Sequence, residues 1–147
     1  MSKIAQAKDA FGAGYNCAQS VAIAYSPEYG VPSATMARIA TAFGGGVSRS
    51  DSICGAVSGA LMILGLHLGT DNQPDSTAKA KTYTLGEEFV AEFNRRYGSA
   101  QCTDLVGYNL KNEDERKRAS EANAFQTICS KVVENACGLL EEYLAKV

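Results

Sequence analysis

The chain has 147 residues, 46% of them hydrophobic and 20% charged, and a net charge of −2. That length suits one domain with its own core, and the balance excludes a disordered chain. With no basic surplus to neutralise phosphates, nucleic acid is not an expected partner.

The first residues, Met1-Ser2-Lys3-Ile4-Ala5-Gln6, carry no long apolar run, so no secretory signal is expected. Ile4 and Phe11 lie seven apart on one face of a short helix over 3–12, which Gly12 and Gly14 end. Asn16 is placed to cap a second helix, from Cys17 to about Tyr25. Pro27 and Pro32 bracket a loop, and Ser33 can cap a third helix over 34–43. Gly44-Gly45-Gly46 breaks that helix. Ser50, Asp51 or Ser52 is expected to cap the next, which holds Cys54 in its first turn and runs to about Leu68. This segment is apolar nearly all round (Ile53, Val57, Leu61, Met62, Leu64, Leu66), which suits the centre of a bundle. Gly55 and Gly59 share a face there and let a neighbour approach closely.

After Pro74, Asp75 or Ser76 begins the longest helix, to about Tyr97, with Leu85, Phe89 and Phe93 on one stripe and Gly98 as the stop. Cys102 opens a short segment, 103–107. The mixed charges of 111–118 read as a solvated loop or helix face. A last helix, about 122–145, buries Phe125, Ile128, Val132, Ala136, Leu139 and Tyr143. The fold class is therefore all-α: a single domain over 1–147, a bundle of five or six helices around the apolar segment 52–68. Apolar faces on the longest and last helices suggest a homodimer. The longest apolar stretch, 60–68, is too short to span a bilayer, so no membrane partner and a cytoplasmic location are expected.

In that compartment the five cysteines are expected to be thiols, metal ligands or redox pairs rather than permanent disulfides. No Cys-x-x-Cys occurs, which excludes a thioredoxin-type motif, and zinc-ribbon and plant-type ferredoxin spacings are absent too. Cys17, Cys54 and Cys102 each fall near a helix start, where unpaired N–H groups favour a thiolate. Cys129 lies in the first turns of the last helix. Cys137 would sit about 12 Å further along that helix at ~1.5 Å per residue, and reads as a core residue. Spacing alone leaves two readings open: four thiols at converging helix ends, or five small buried hydrophobes.

His67, the only histidine, sits on the apolar helix and reads as structural, since one histidine cannot build a metal site. Gly44-Gly45-Gly46 with Ser48 and Arg49 lacks the lysine of a nucleotide loop, and is read as a tight turn that brings Cys54 near another helix. Arg49 could offset charge on a metal centre or simply face solvent. The adjacent pairs Glu87-Glu88 and Glu141-Glu142 diverge on a helix and form no acid/base site.

Four blocks carry a family resemblance: Asn16-Cys17-Ala18-Gln19-Ser20-Val21; Phe43-Gly44-Gly45-Gly46 with Cys54-Gly55-Ala56-Val57-Ser58-Gly59-Ala60-Leu61; Phe93 to Gly98 with Cys102 and Leu105-Val106-Gly107; and Cys129 with Val132-Val133-Glu134. With these, nearly the whole chain resembles the C_GCAxxG_C_C family of redox-active proteins, itself similar to part of split-Soret cytochromes. The resemblance implies that Cys17, Cys54, Cys102 and Cys129 are the family's four cysteines and that Cys137 is extra. It implies an iron–sulfur cluster as cofactor, held by those four, for electron transfer or redox sensing with an unknown redox partner. Covalent c-type haem is not supported, because Cys-x-x-Cys-His is absent. Two alternatives stand beside this. One is a thiol–disulfide oxidoreductase, with Cys54 as the attacking thiol. The other is a structural zinc site or a helical interaction module with inert cysteines.

Overall fold

The computed structural model describes residues 1–70 and 76–147; the expected roles of Pro74 in a loop and of Asp75 at a helix start lie outside them. The helices are α1 (Lys3–Gly12), α2 (Cys17–Tyr25), α3 (Ser33–Ala40), α4 (Gly55–Leu68), α5 (Ser76–Tyr97), α6 (Cys102–Val106), α7 (Glu113–Glu121) and α8 (Ser130–Lys146), the last preceded by a π-helical turn at Phe125–Cys129. No strand occurs among the described residues; one isolated bridge joins Ile53 and Gln101. The chain is one all-α domain.

Side-chain caps set the starts of α1, α2 and α7, from Ser2, Asn16 and Asn112. Asn16 caps α2 as expected: its Oδ1 accepts from the Gln19 N–H at 2.9 Å, and the Gln19 Oε1 accepts from the Asn16 N–H at 2.9 Å. This reciprocal pair satisfies two otherwise orphaned donors. Asn16 also donates to the Thr41 carbonyl at 2.9 Å, tying α2 to the end of α3. Asn16→Ala is expected to cost about 1–2 kcal/mol, measured as a lower urea midpoint with an unchanged slope.

Two helix starts differ from expectation. Ser33 is the first residue of α3 rather than its cap, and its hydroxyl donates to the Ile23 carbonyl at 3.4 Å. None of Ser50, Asp51 and Ser52 caps α4; Cys54 itself is the cap residue. The chain ahead of it is drawn out instead. The Cys54 N–H donates to Ala100 at 2.7 Å and the Cys102 N–H to Ser52 at 3.0 Å, so the helix cannot start earlier. The charged run near 111–118 is a true helix, α7, capped by Asn112, whose side chain accepts from the Glu115 N–H at 3.0 Å. Its first turn carries Glu113, Asp114 and Glu115, which complement the positive helix end.

As anticipated, α4 occupies the centre. Val57, Ala60, Ile63 and Leu64 are at most 1% exposed, and the helix touches α2, α5 and α8. Its last turns are looser: Leu61, Met62, Leu66, His67 and Leu68 are half-buried. The α5 stripe turns inward, with Phe89 and Phe93 fully buried and Phe89 edge-on to Tyr143 of α8 at 5.5 Å between ring centres. Each such side chain contributes about 1.5–3 kcal/mol by leaving water. Phe89 and Phe93 of that stripe are thus covered within the chain, while Leu85 and Tyr97 are half-buried. His67 Nδ1 is hydrogen-bonded to the Tyr29 hydroxyl at 2.9 Å, a satisfied structural histidine. No helix among the described residues is long and apolar enough to cross a membrane.

Beyond the expected bundle, α6, α7 and the π turn build a satellite cluster of Cys102, Val106, Leu110, Ala119, Ala124 and Cys129. Cys54 and Cys137 belong to the main core. The functional site lies between these two apolar units.

Candidate functional site: a four-thiol cavity

Four segments, far apart in sequence, each deliver one thiol to the same cavity. Cys17 is the first residue of α2, Cys54 the cap of α4, Cys102 the first residue of α6 and Cys129 the last of the π turn. All four line a cavity of about 1270 Å³. Cys137 does not. It is fully buried on the core face of α8, near Tyr25, whose hydroxyl donates to Glu141 at 2.9 Å. All five cysteines are free thiols.

Between α3 and α4 the backbone does something the sequence reading missed. Gly45, Gly46, Val47, Ser48 and Arg49 all have positive φ (67°, 71°, 60°, 54° and 62°), and so does Asp51 at 58°. The segment is one turn of left-handed helix, not just a break. Left-handed conformation at a β-branched residue such as Val47 is strained, and such strain collects at functional sites. The turn is pinned from several sides. The Ser48 hydroxyl donates to Ala42 at 2.7 Å, and the Ser52 N–H donates to Gly46 at 3.1 Å. Gly46 lies against Cys102: a Cβ there would stand 2.7 Å from the Cys102 Cβ. Gly44, Gly45, Ser48 and Arg49 form part of the cavity wall.

The electrostatics correct the expectation for helix-start thiols. The N–H groups of Ala56 and Val57 do favour a thiolate at Cys54, but burial outweighs them and pushes the thiol up to about 11. Burial first, and then the neighbouring Cys54, Cys129 and Asp51, push Cys102 up to about 12. Cys17 is raised chiefly because its thiol donates to Cys129, then by burial and the other three sulfurs. Cys129 alone is lowered, because the Cys17 thiol steadies its thiolate against the cost of burial. Helix starts lower a thiol where water still reaches it; here desolvation wins. The thiol expected to attack under the exchange reading, Cys54, is thus raised, and the favoured thiolate lies at Cys129.

A pH-dependent expectation follows. Alkylation needs thiolate, so a lowered pKa moves the rise in rate to lower pH. On reduced, metal-free protein, iodoacetamide is expected to modify Cys129 first, at a pH below that of an ordinary thiol. Cys17→Ala removes the donor and should shift the Cys129 profile to higher pH, as followed by peptide mapping. An unchanged profile would mean that the two sulfurs are not coupled.

Further groups complete the wall. Phe11, Tyr15, Leu105, Leu110 and Phe125 supply apolar surface. Lys8, Arg49, Arg116 and Lys117 supply positive charge, and Glu113 and Asp114 negative charge. Only Arg49 among these charges was singled out from the sequence. The others ride on α1 and α7, and nothing in the residue pattern says where those helices dock. As the side chains stand, no three His, Cys, Asp or Glu side chains among the described residues are grouped to hold a metal ion.

An all-helical domain with four dispersed cysteines around one cavity defines a class of cysteine-motif proteins. Within it, the chain belongs to the C_GCAxxG_C_C family, described as "Putative redox-active protein", whose pattern matches residues 15–143. No curated protein and no solved structure gives a significant match.

Proposed function

We propose that this protein carries electrons or senses redox state through an iron–sulfur cluster held by Cys17, Cys54, Cys102 and Cys129. The observation that carries this reading is the shared cavity: four thiols from four segments face one space, two more than disulfide exchange requires. The donor set fits the group. Thiolates are the ligands of such clusters, and their potential is set by burial and hydrogen bonding. Three of the four thiols are at most 6% exposed. Cys17, Cys54 and Cys102 are shifted upward, so without a cation the protein holds protons there instead of four mutually repelling anions. Iron would take the place of those protons and supply the one-electron chemistry. The Ala56 and Val57 N–H groups point at the Cys54 sulfur and would favour its bound, anionic form. Four thiolates are also the ligand set of a tetrahedral structural zinc, so metal analysis separates the two.

Protein purified anaerobically from cells competent in cluster assembly should be brown and contain iron and acid-labile sulfide. Colourless, iron-free protein from such cells would defeat the proposal. Zinc in its place would point to the structural alternative.

One observation favours a second reading. Cys17 and Cys129 are neighbours, with the proton on the first and a favoured thiolate on the second. They are the pair most ready to form a reversible disulfide. A mass loss of two hydrogens on mild oxidation, mapped to Cys17 and Cys129 in metal-free protein, would support exchange chemistry.

A further inference from the structure

We propose that the same cavity holds a small anionic ligand with a planar apolar portion, bound by Arg49, Arg116 and Lys117 and packed on Phe11, Tyr15 and Phe125. The inference rests on the redox reading only in taking this ligand as the immediate partner of the thiol centre.

Space is the first ground. The cavity measures about 1270 Å³, above the ~300–1,000 Å³ of ordinary small-molecule sites. An iron–sulfur cluster is a handful of atoms and would leave most of it open.

Charge is the second. Cations on the wall outnumber carboxylates, in a chain whose net charge is −2. Lys8 is engaged by Glu134 at 3.2 Å, and Arg116 gives one N–H to the Leu110 carbonyl at 2.8 Å. Among the described residues, Arg49 and Lys117 have no ion pair. Glu113 and Asp114 share the wall and limit the surplus, so a ligand of low charge fits best.

The third ground is the apolar wall: Phe11, Tyr15 and Phe125 line the same cavity as the cations and offer ring surface to a planar group. Arg49 is held in place at real conformational cost, as the end of the strained left-handed turn.

The partner class is thus a small aromatic or planar anion. The probe is 8-anilinonaphthalene-1-sulfonate, an aromatic sulfonate, titrated into the purified protein by fluorescence, with near-UV circular dichroism showing the native fold. Saturable binding of one molecule per chain is expected, at least tenfold tighter than that of uncharged 1-anilinonaphthalene. The double variant Arg49→Gln with Lys117→Gln should lose most of that preference. Arg95→Gln, which touches only the exposed pair with Glu92, should keep it. Amide shifts on binding should centre on Tyr15 and Phe125. No saturable binding to native protein, equal binding of the charged and uncharged probes, or a double variant that binds as the parent does would each overturn the inference.

Iron content, measured on the same samples, separates the two proposals. Charge-dependent binding without iron leaves this ligand site standing and removes the cluster. Iron loading with charge-independent binding does the reverse.

Discussion

Replacing any one of Cys17, Cys54, Cys102 or Cys129 with serine is expected to abolish the visible absorption and most of the iron of anaerobically purified protein. Cys137→Ala is expected to leave both intact. The contrast comes from position. The four line one cavity, while Cys137 is fully buried in the main core, where its thiol is pushed up to about 12 by desolvation. Serine preserves size but offers a hydroxyl that iron holds poorly. At Cys17 and Cys137, stability should move the other way from cofactor content. Serine at the half-buried Cys17 leaves a polar group within reach of water and should change the thermal midpoint little. Cys137→Ala opens a small void in a packed core and should cost about 1 kcal/mol, the usual scale for a single substitution. Iron analysis, the visible spectrum and a melting curve on the five variants test this together. A Cys137 variant that loses iron, or a cavity variant that keeps it, would contradict the assignment of ligands.

Gly59→Ala should destabilise the fold by about 1–3 kcal/mol, the usual cost of overpacking, while the identical change at Gly138 should stabilise it by about 0.5–1 kcal/mol. Both glycines are inside helices, where alanine is intrinsically the better residue. Space decides the sign. A Cβ on Gly59 would stand 2.7 Å from the Ala18 carbonyl oxygen and 3.1 Å from the Val21 Cβ. The nearest obstacle is backbone, which cannot swing aside, so α4 must back away from α2. At Gly138 a Cβ meets nothing within 4 Å. Moving α4 off α2 also pulls Cys54 away from Cys17, so Gly59→Ala should lower iron content as well as the melting midpoint. Gly138→Ala should raise the midpoint and leave iron unchanged. Equal effects at the two positions would mean that the close approach of α2 and α4 is not what requires glycine.

Two glycines four apart on an apolar helix already announced that contact. They did not say that the partner was α2 or that its backbone carbonyl set the limit. A similar division runs through the site. Asn16 before Cys17, with Gln19 three residues on, is a local signal, because a capping box is closed by groups within one turn. It places Cys17 at a helix start without any knowledge of the rest of the chain. The start of α4 was misjudged because Ser52 and Cys54 are held by Gln101's neighbours, Cys102 and Ala100, and no local pattern encodes a pairing across that distance. Gly44-Gly45-Gly46 reads as a break and a tight turn, because glycines permit positive φ; no local pattern says that Val47, Ser48 and Arg49 follow them into it.

The sequence by itself determined the helical class, the central position of the apolar helix, the outlying status of Cys137 and the family to which the chain belongs. These rest on periodicity, caps and a spaced motif, all of which act over a few residues or are carried in the residue order itself. Tertiary structure alone decided that four distant thiols border one cavity, that cations from α1, α7 and the left-handed turn surround it, and that Cys129 rather than a helix-start cysteine is the favoured thiolate. Those outcomes depend on burial and on through-space neighbours. Desolvation and the Cys17–Cys129 contact outweigh the helix ends that local reading could see, and neither exists until the chain has packed.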